Sequence, residues 1–405
     1  MRAVGWTAAA IGMAQVGAAA AVLTVDAVRK HRSPPSGDFP RGQTHTVEVA
    51  GNHLTVFTAG DETYEAMLAA IDAARTTVYF ESYIWKGDTI GTRFKEALIR
   101  AAERGVLVCV VYDEFANLVV DPRFYRLPET VHVLKYRMFQ WQMLTPNMRV
   151  WGRDHRKILV VDSEVGFVGG YNVGDLYGTS WRDTHVAVEG PAVWELEDAF
   201  VDFWNAYRKR DMPLLPEKGS HDWDARILSA RNDPPRLLFP VRGLYLGAIE
   251  RAVSHVWITQ GYFIPDADIH SALLRAAARG VDVRIVVPEY SNHIIADWVA
   301  RGYYESLLRG GVTIWLYRGA MVHAKTATVD SRWSTIGTAN IDRLSMMGNF
   351  EVNLEIFSDD LAERMEQIFS IDLSNCHQLT LDDWQGRPGY VRVVEKLLSP
   401  FYPLL

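Results

Sequence analysis

With 42 Lys and Arg against 49 Asp and Glu, the 405-residue chain has a formal net charge of −7, which excludes the overall positive field expected of a nucleic-acid binder. A composition of 48% hydrophobic and 22% charged residues excludes a disordered chain, and the length allows two halves around one core. Two cysteines, Cys109 and Cys376, exclude a disulfide framework.

From Ala3 to Val25 no residue is charged, a run long enough to cross a bilayer as a helix. Arg29, Lys30 and Arg32 follow it against Arg2 before it, which places the downstream side in the cytoplasm. Residues 1–28 are therefore expected to be a transmembrane anchor. A secretory signal cut among Ala18 to Ala21 sits less well with basic residues after the run. Residues 29–44, with Ser33-Pro34-Pro35-Ser36-Gly37, read as a linker.

A first half is expected over 45–208. Thr46 to Phe57 alternates apolar and polar residues, a strand pair turning at Gly51-Asn52. Asp61 to Arg75 has helical periodicity, with Ala66, Leu68, Ala69 and Ile71 on or near one face. Thr77 to Ile84 reads as a strand. Asp88 caps a helix to Glu103, ended by Arg104-Gly105. Val106 to Tyr112 is apolar throughout, as in a strand covered on both faces, which leaves Cys109 buried and inert. Strand alternating with helix predicts a largely parallel sheet.

After a link at 209–236 carrying Pro213, Pro216, Gly219, Pro234 and Pro235, the pattern recurs over 237–377. Ile71 to Tyr83 aligns with Ile249 to Gly261, and Ala101 to Val106 with Ala276 to Val281. Two copies with so long a period make a duplicated domain, not a solenoid. A membrane-proximal tail is expected over 378–405.

The duplication is sharpest in one motif. His155-Arg156-Lys157, Asp162 and Gly169-Gly170-Tyr171-Asn172 return as His323-Ala324-Lys325, Asp330 and Gly337-Thr338-Ala339-Asn340 in the same register. His and Lys two apart on a strand address one face. Two copies about a pseudo-two-fold axis would gather His155, Lys157, Asn172, His323, Lys325 and Asn340 at one centre. That set suits a phosphodiester: one imidazole attacks phosphorus, the other protonates the leaving oxygen, and ammonium and amide groups stabilise the equatorial oxygens. No ligand cluster accompanies the motif, so neither metal nor cofactor is expected. Asp183 and Glu351 each lie 28 residues after the histidine of their own copy. A carboxylate at that repeated offset could bind the far ring N–H and fix the tautomer. Asp162 and Asp330 lie beyond the strand and are expected to brace turns; His185 and His293 are lesser candidates. Basic residues gather before the first motif, at Arg149, Arg153, Arg156 and Lys157.

The paired motifs resemble the HxKx4D signature of the phospholipase D superfamily. Gly169 to Asp175, Trp181 to Val186, Gly261 to Pro265, Gly337 to Asp342 and Asn349 to Asn353 are similar to its bacterial cardiolipin synthases. The resemblance covers about residues 45 to 405. It implies an α/β class: a duplicated phospholipase D-like fold, two mixed or parallel sheets flanked by helices, one active site at the pseudo-two-fold interface, and an N-terminal membrane helix. It also implies a covalent phosphatidyl-histidine passed to an alcohol, making cardiolipin from two phosphatidylglycerols at the bacterial inner membrane. Phosphatidylethanolamine is a further candidate substrate. His155 is read as nucleophile and His323 as acid and then base, an order that pseudo-symmetry leaves open. Three departures bear on the acceptor: Arg343-Leu344-Ser345 carries one extra residue between Arg and Ser, the loop Pro288 to His293 lacks an Asp, and one hydrophobic span stands where many members have two. A lipid hydrolase or a membrane-tethered nuclease would use the same residues; net charge and lipid-type aromatics weigh against nucleic acid. A scaffold with a retired site would have lost a His or Lys, and none is missing. Arg137 to Leu144 and the tail Leu397 to Leu405 are apolar enough for an interfacial role.

Overall fold

The computed structural model describes residues 17, 20, 22–32, 36–139, 152–219 and 224–398. Most of the expected anchor, Ser33 to Pro35, Arg149, residues 140–144 of the apolar stretch and residues 399–405 of the tail lie outside them. Among the described residues no helix is long and apolar enough to cross a membrane. Helix α1 (residues 22–32) continues past the anchor boundary expected at 28.

The first half builds the strands β1 (His45–Val49) and β2 (Asn52–Phe57), helix α2 (Gly60–Ala73), β3 (Thr77–Ser82), α3 (Thr89–Glu103), β4 (Leu107–Asp113) and β5 (Val131–Tyr136). Then come β6 (Lys157–Val161), β7 (Val165–Gly169), α4 (Asp175–Ser180), β8 (Trp181–Arg182), β9 (His185–Glu189) and α5 (Val193–Tyr207). Helix α2 buries Tyr64, Met67, Leu68 and Ile71, whereas Ala69 of the expected face is exposed. Asp88 caps α3 by accepting from Gly91 N at 3.0 Å. Arg104 closes that helix and Gly105 (φ 88°) takes the left-handed conformation that lets the chain reverse into β4.

The second half repeats this order: β10 (Ile227–Asn232), α6 (Pro240–Arg251), β11 (His255–Gln260), α7 (Ala267–Ala278), β12 (Asp282–Pro288), α8 (Ile294–Arg309) and β13 (Thr313–Tyr317). There follow β14 (Met321–Val322), β15 (Lys325–Val329), β16 (Trp333–Gly337), α9 (Arg343–Met347), β17 (Glu351–Phe357), α10 (Asp359–Ser374), β18 (Cys376–Leu379), α11 (Leu381–Gln385) and α12 (Gly389–Leu398).

Each half forms an 8-stranded sheet, in the orders β1-β2-β9-β7-β6-β3-β4-β5 and β10-β17-β16-β15-β11-β12-β13-β18. Both are mixed rather than largely parallel. Within the two sheets, among the described strands, β3-β4-β5 and β11-β12-β13 run parallel, since each chain there crosses over to enter the next strand from the same end. The strands after each motif are joined by tight turns and must pair antiparallel. Two expected boundaries also move. Strand β10 lies inside the supposed 209–236 link and pairs with β17, and β18 straddles residue 377 and pairs with β13. The described tail folds back, with Trp384 buried and Arg387 stacked 3.9 Å over its ring. Inner faces of both sheets share a core in which Ile158, Val160 and Val168 meet Ile336, Leu354 and Ile356. Cys109 is fully buried in β4, and burial pushes its thiol up to about 12.

Asp162 and Asp330 end the motif strands in left-handed conformation (φ 55° and 54°). Asp162 accepts from the backbone N–H groups of Arg75, Thr76 and Thr77 at 2.7–2.8 Å, and Asp330 from Val253, Ser254 and His255 at 2.7–2.9 Å. Each thus ties the turn after β6 or β15 to the start of β3 or β11. These bonds hold the Asp162 carboxyl below its usual range against the opposing effect of partial burial. A depressed folded-state value gives stability that is present above the unfolded pKa and lost as pH falls through the folded one. Asp162→Asn should therefore lower stability by about 1 kcal/mol at pH 7, discounted for exposure, with the gap from wild type closing towards pH 3 in urea unfolding. A gap independent of pH would remove the charge from this account.

Candidate active site

The motif histidines sit just before their strands, not within them, since β6 and β15 begin at Lys157 and Lys325. What fixes them is the opposite half. His155 N donates to Phe350 O at 3.1 Å, and His323 N donates to Arg182 O at 2.7 Å. Phe350 and Arg182 immediately precede Glu351 and Asp183, so each histidine is laid beside the carboxylate of the other copy. His155 Nδ1 lies 2.9 and 3.0 Å from the two Glu351 oxygens, and His323 Nδ1 lies 2.7 Å from Asp183 Oδ2. The offset of 28 residues found the carboxylates, but their pairing is crossed.

Both carboxylates are fully buried, and each has one further donor: the Thr338 hydroxyl to Glu351 at 2.6 Å, and Thr184 N to Asp183 at 2.8 Å. Gly170 occupies the position corresponding to Thr338. A Cβ there would lie 2.0 Å from Asp183 Oδ1, so close approach of backbone to carboxylate requires glycine. With Nδ1–H given to a carboxylate, each imidazole turns a lone pair on Nε2 towards the centre. Lys325 Nζ lies 2.8 Å from His323 Nδ1, but with that nitrogen protonated only Asp183 can accept from it.

Both lysines reach back to their own histidine, Lys157 Nζ donating to His155 O at 2.6 Å and Lys325 Nζ to His323 O. Burial brings the Lys157 ammonium down to about 7 and Lys325 to about 8, despite the pull of Asp183 and Glu351. Burial likewise lowers His155, opposed by Glu351, and lowers His323 further, aided by Lys325 and Lys157. Burial thus favours the neutral form of both imidazoles, and an entering phosphodiester anion favours the charged one.

His155, His323, Asn172 and Asn340 line one cavity of about 310 Å³. Asn172 Oδ1 accepts from Ile84 N at 3.3 Å, while Asn340 Oδ1 is buried without a partner. Tyr83 and Trp181 flank the histidines, with ring centres 4.7 Å from His155 and 4.8 Å from His323. Their part was not read from the sequence, although Trp181 stands only two residues before Asp183. His293 also lines the cavity. His185 does not; it is buried with neither ring nitrogen bonded, and burial takes it down to about 3. The local basicity is consumed within the protein: Arg156 pairs with Glu81 at 2.5 Å and Asp154 at 3.1 Å, and Arg153 lies 3.8 Å from Asp113.

Residues 67–204 and 245–373 match the family model described as the phospholipase D-like domain of cardiolipin synthase. The chain belongs to this cardiolipin synthase family. Relatives in the family include the major cardiolipin synthase of Bacillus subtilis strain 168, 32% identical over 373 residues that cover 88% of this chain and 77% of the relative. A cardiolipin synthase of Clostridium perfringens is 33% identical over 374 residues, covering 87% and 77%. The crystal structure of a phosphatidylserine synthase from Haemophilus influenzae Rd KW20 superposes with a TM-score of 0.66, covering 93% of this chain and 97% of that one at 15% identity. At that identity it speaks for the fold alone. Within the cardiolipin synthase family pattern, the shifted Ser345 is buried and its N–H is held by Asp342 at 2.7 Å.

Proposed function

We propose that the protein is a phosphatidyltransferase that makes cardiolipin from two phosphatidylglycerol molecules and releases glycerol. The observation that carries this reading is the pair of crossed histidine–carboxylate contacts opening on one cavity with two buried lysines behind it. His323 takes up a proton at Nε2 as the phosphodiester anion enters. His155 Nε2 then attacks phosphorus and the bond to the glycerol oxygen breaks, with the His323 imidazolium giving that oxygen its Nε2 proton. The primary hydroxyl of a second phosphatidylglycerol then loses its proton to His323, attacks phosphorus and releases His155. Lys157, Lys325, Asn172 and Asn340 stabilise charge on the equatorial oxygens. Glu351 and Asp183 stabilise the imidazolium that forms at each stage.

The uncharged run before Arg29 and the basic residues after it support an anchor over residues 1–28 in a bacterial inner membrane, with the two halves on the cytoplasmic side. Phosphatidylethanolamine is a second donor or acceptor to test. Purified protein in vesicles, offered labelled phosphatidylglycerol, phosphatidylethanolamine and single-stranded DNA, should yield cardiolipin and glycerol. Phosphatidic acid alone would make it a hydrolase, and nucleotide release without lipid product would overturn the lipid reading.

A further inference from the structure

The duplication relates the halves closely enough that departures from it stand out at the cavity. A shift of 168 residues carries His155 onto His323 and Asn172 onto Asn340, yet it carries Gly174 onto Asp342. A shift of 178 carries β3 onto β11 and, just beyond them, Ile84 onto Tyr262. Between β4 and β5 the first half has residues 114–130 with a single helical turn at Phe115–Asn117, whereas the second half has a loop and the long helix α8, which bring Asn292 and His293 to the cavity. The cavity is therefore lopsided. Beside His323 stand Tyr262, Asn292, His293 and Asp342. The two shifts put Ile84 and Gly174 in the places of Tyr262 and Asp342. Although Tyr83 stands edge-on to His155 much as Tyr262 does to His323, among the described residues the first half has no counterpart of Asn292, His293 or the Asp342 carboxyl.

Tyr262, Asn292 and His293 are in contact with one another. The Tyr262 ring stands edge-on to His323 with centres 5.9 Å apart, and its hydroxyl donates to Asn292 Oδ1. The His293 ring lies 5.6 Å from Tyr262. Asp342 caps the short helix α9 through Ser345 N, and burial brings its carboxyl up to about 7, so it can give or take a proton in a hydrogen bond.

We infer that this polar side is the subsite for the glycerol headgroup, holding first the alcohol that leaves and then the alcohol that enters. The inference rests on the phosphatidyltransferase reading. Both displacements at phosphorus are in line with His155 and both use His323, so the departing and arriving oxygens occupy the same place. A polyol there has a hydroxyl beyond the reacting one, and Asn292 and Asp342 offer acceptors and donors for it. A site built to bond a hydroxyl discriminates strongly against an analogue that lacks it.

The test compares phosphatidylglycerol with phosphatidylethanol, whose headgroup has no second oxygen. Wild-type protein should prefer phosphatidylglycerol by about 100-fold in kcat/KM. In Asn292→Ala, and separately in Asp342→Gly, which copies the residue of the other half and is tolerated at a helix cap, the preference should fall to about 10-fold or less. The ratio is read whatever the absolute rates, so lost folding cannot imitate the result. A ratio preserved in both variants, or no preference in wild type, overturns the subsite. Wild-type protein that releases no glycerol from phosphatidylglycerol overturns instead the reading beneath it.

Discussion

His155→Ala should lower phosphatidyl transfer by about 10⁴-fold or more, because it removes the atom that bonds to phosphorus. His323→Ala should lower it by about 10²–10⁴-fold, the range for loss of a general acid and base. The two variants differ in what they accumulate. Given a phosphodiester whose leaving group is a nitrophenol, the first step needs little acid help, so His323→Ala should still lose nitrophenol in a burst. It should then retain a phosphatidyl group on the peptide containing His155, detectable by mass. A burst in His155→Ala with the adduct on His323 would reverse the order, and full turnover by either variant would end the two-histidine mechanism.

Arg182→Met should destabilise the protein by about 3–5 kcal/mol. Arg182 Nε and its terminal nitrogen each donate to Asp372 at 2.8 Å, with both side chains at or below 2% exposure. One partner belongs to β8 of the first half and the other to α10 of the second, so the pair ties the halves beside the site. Removing the guanidinium leaves a buried carboxyl whose pKa burial already raises. The defect should therefore be greatest where Asp372 must ionise and shrink as pH falls through its folded-state value. The double variant Arg182→Met with Asp372→Leu should recover much of the loss in thermal melts. A double variant no more stable than the single would show that packing, not orphaned charge, is responsible.

Periodicity and motif register were enough to locate both halves, the histidine pair and the two carboxylates, because each is a local pattern or its repetition. What escaped is non-local. A 28-residue offset names Asp183 and Glu351 but is silent on which half each serves; that follows from the backbone bonds of His155 to Phe350 and His323 to Arg182. Arg182 and Asp372 are separated by 190 residues with nothing local to connect them. Strand β10 was hidden among prolines and glycines that mark a link, since its core-facing residues are few. Asp342 and Tyr262 were visible as letters, but their meaning depends on what the opposite half has in their place.

The crossed contacts between imidazole and carboxylate have a consequence for how such a protein can arise and fail. Neither copy of the repeat contains a working relay, because each lends its acid to the other's base. A shorter ancestor with a single copy would reach this arrangement by two-fold self-association, and fusion would make that partnership permanent. After fusion, damage to the carboxylate of one half is felt at the histidine of the other, so the halves are bound to change together.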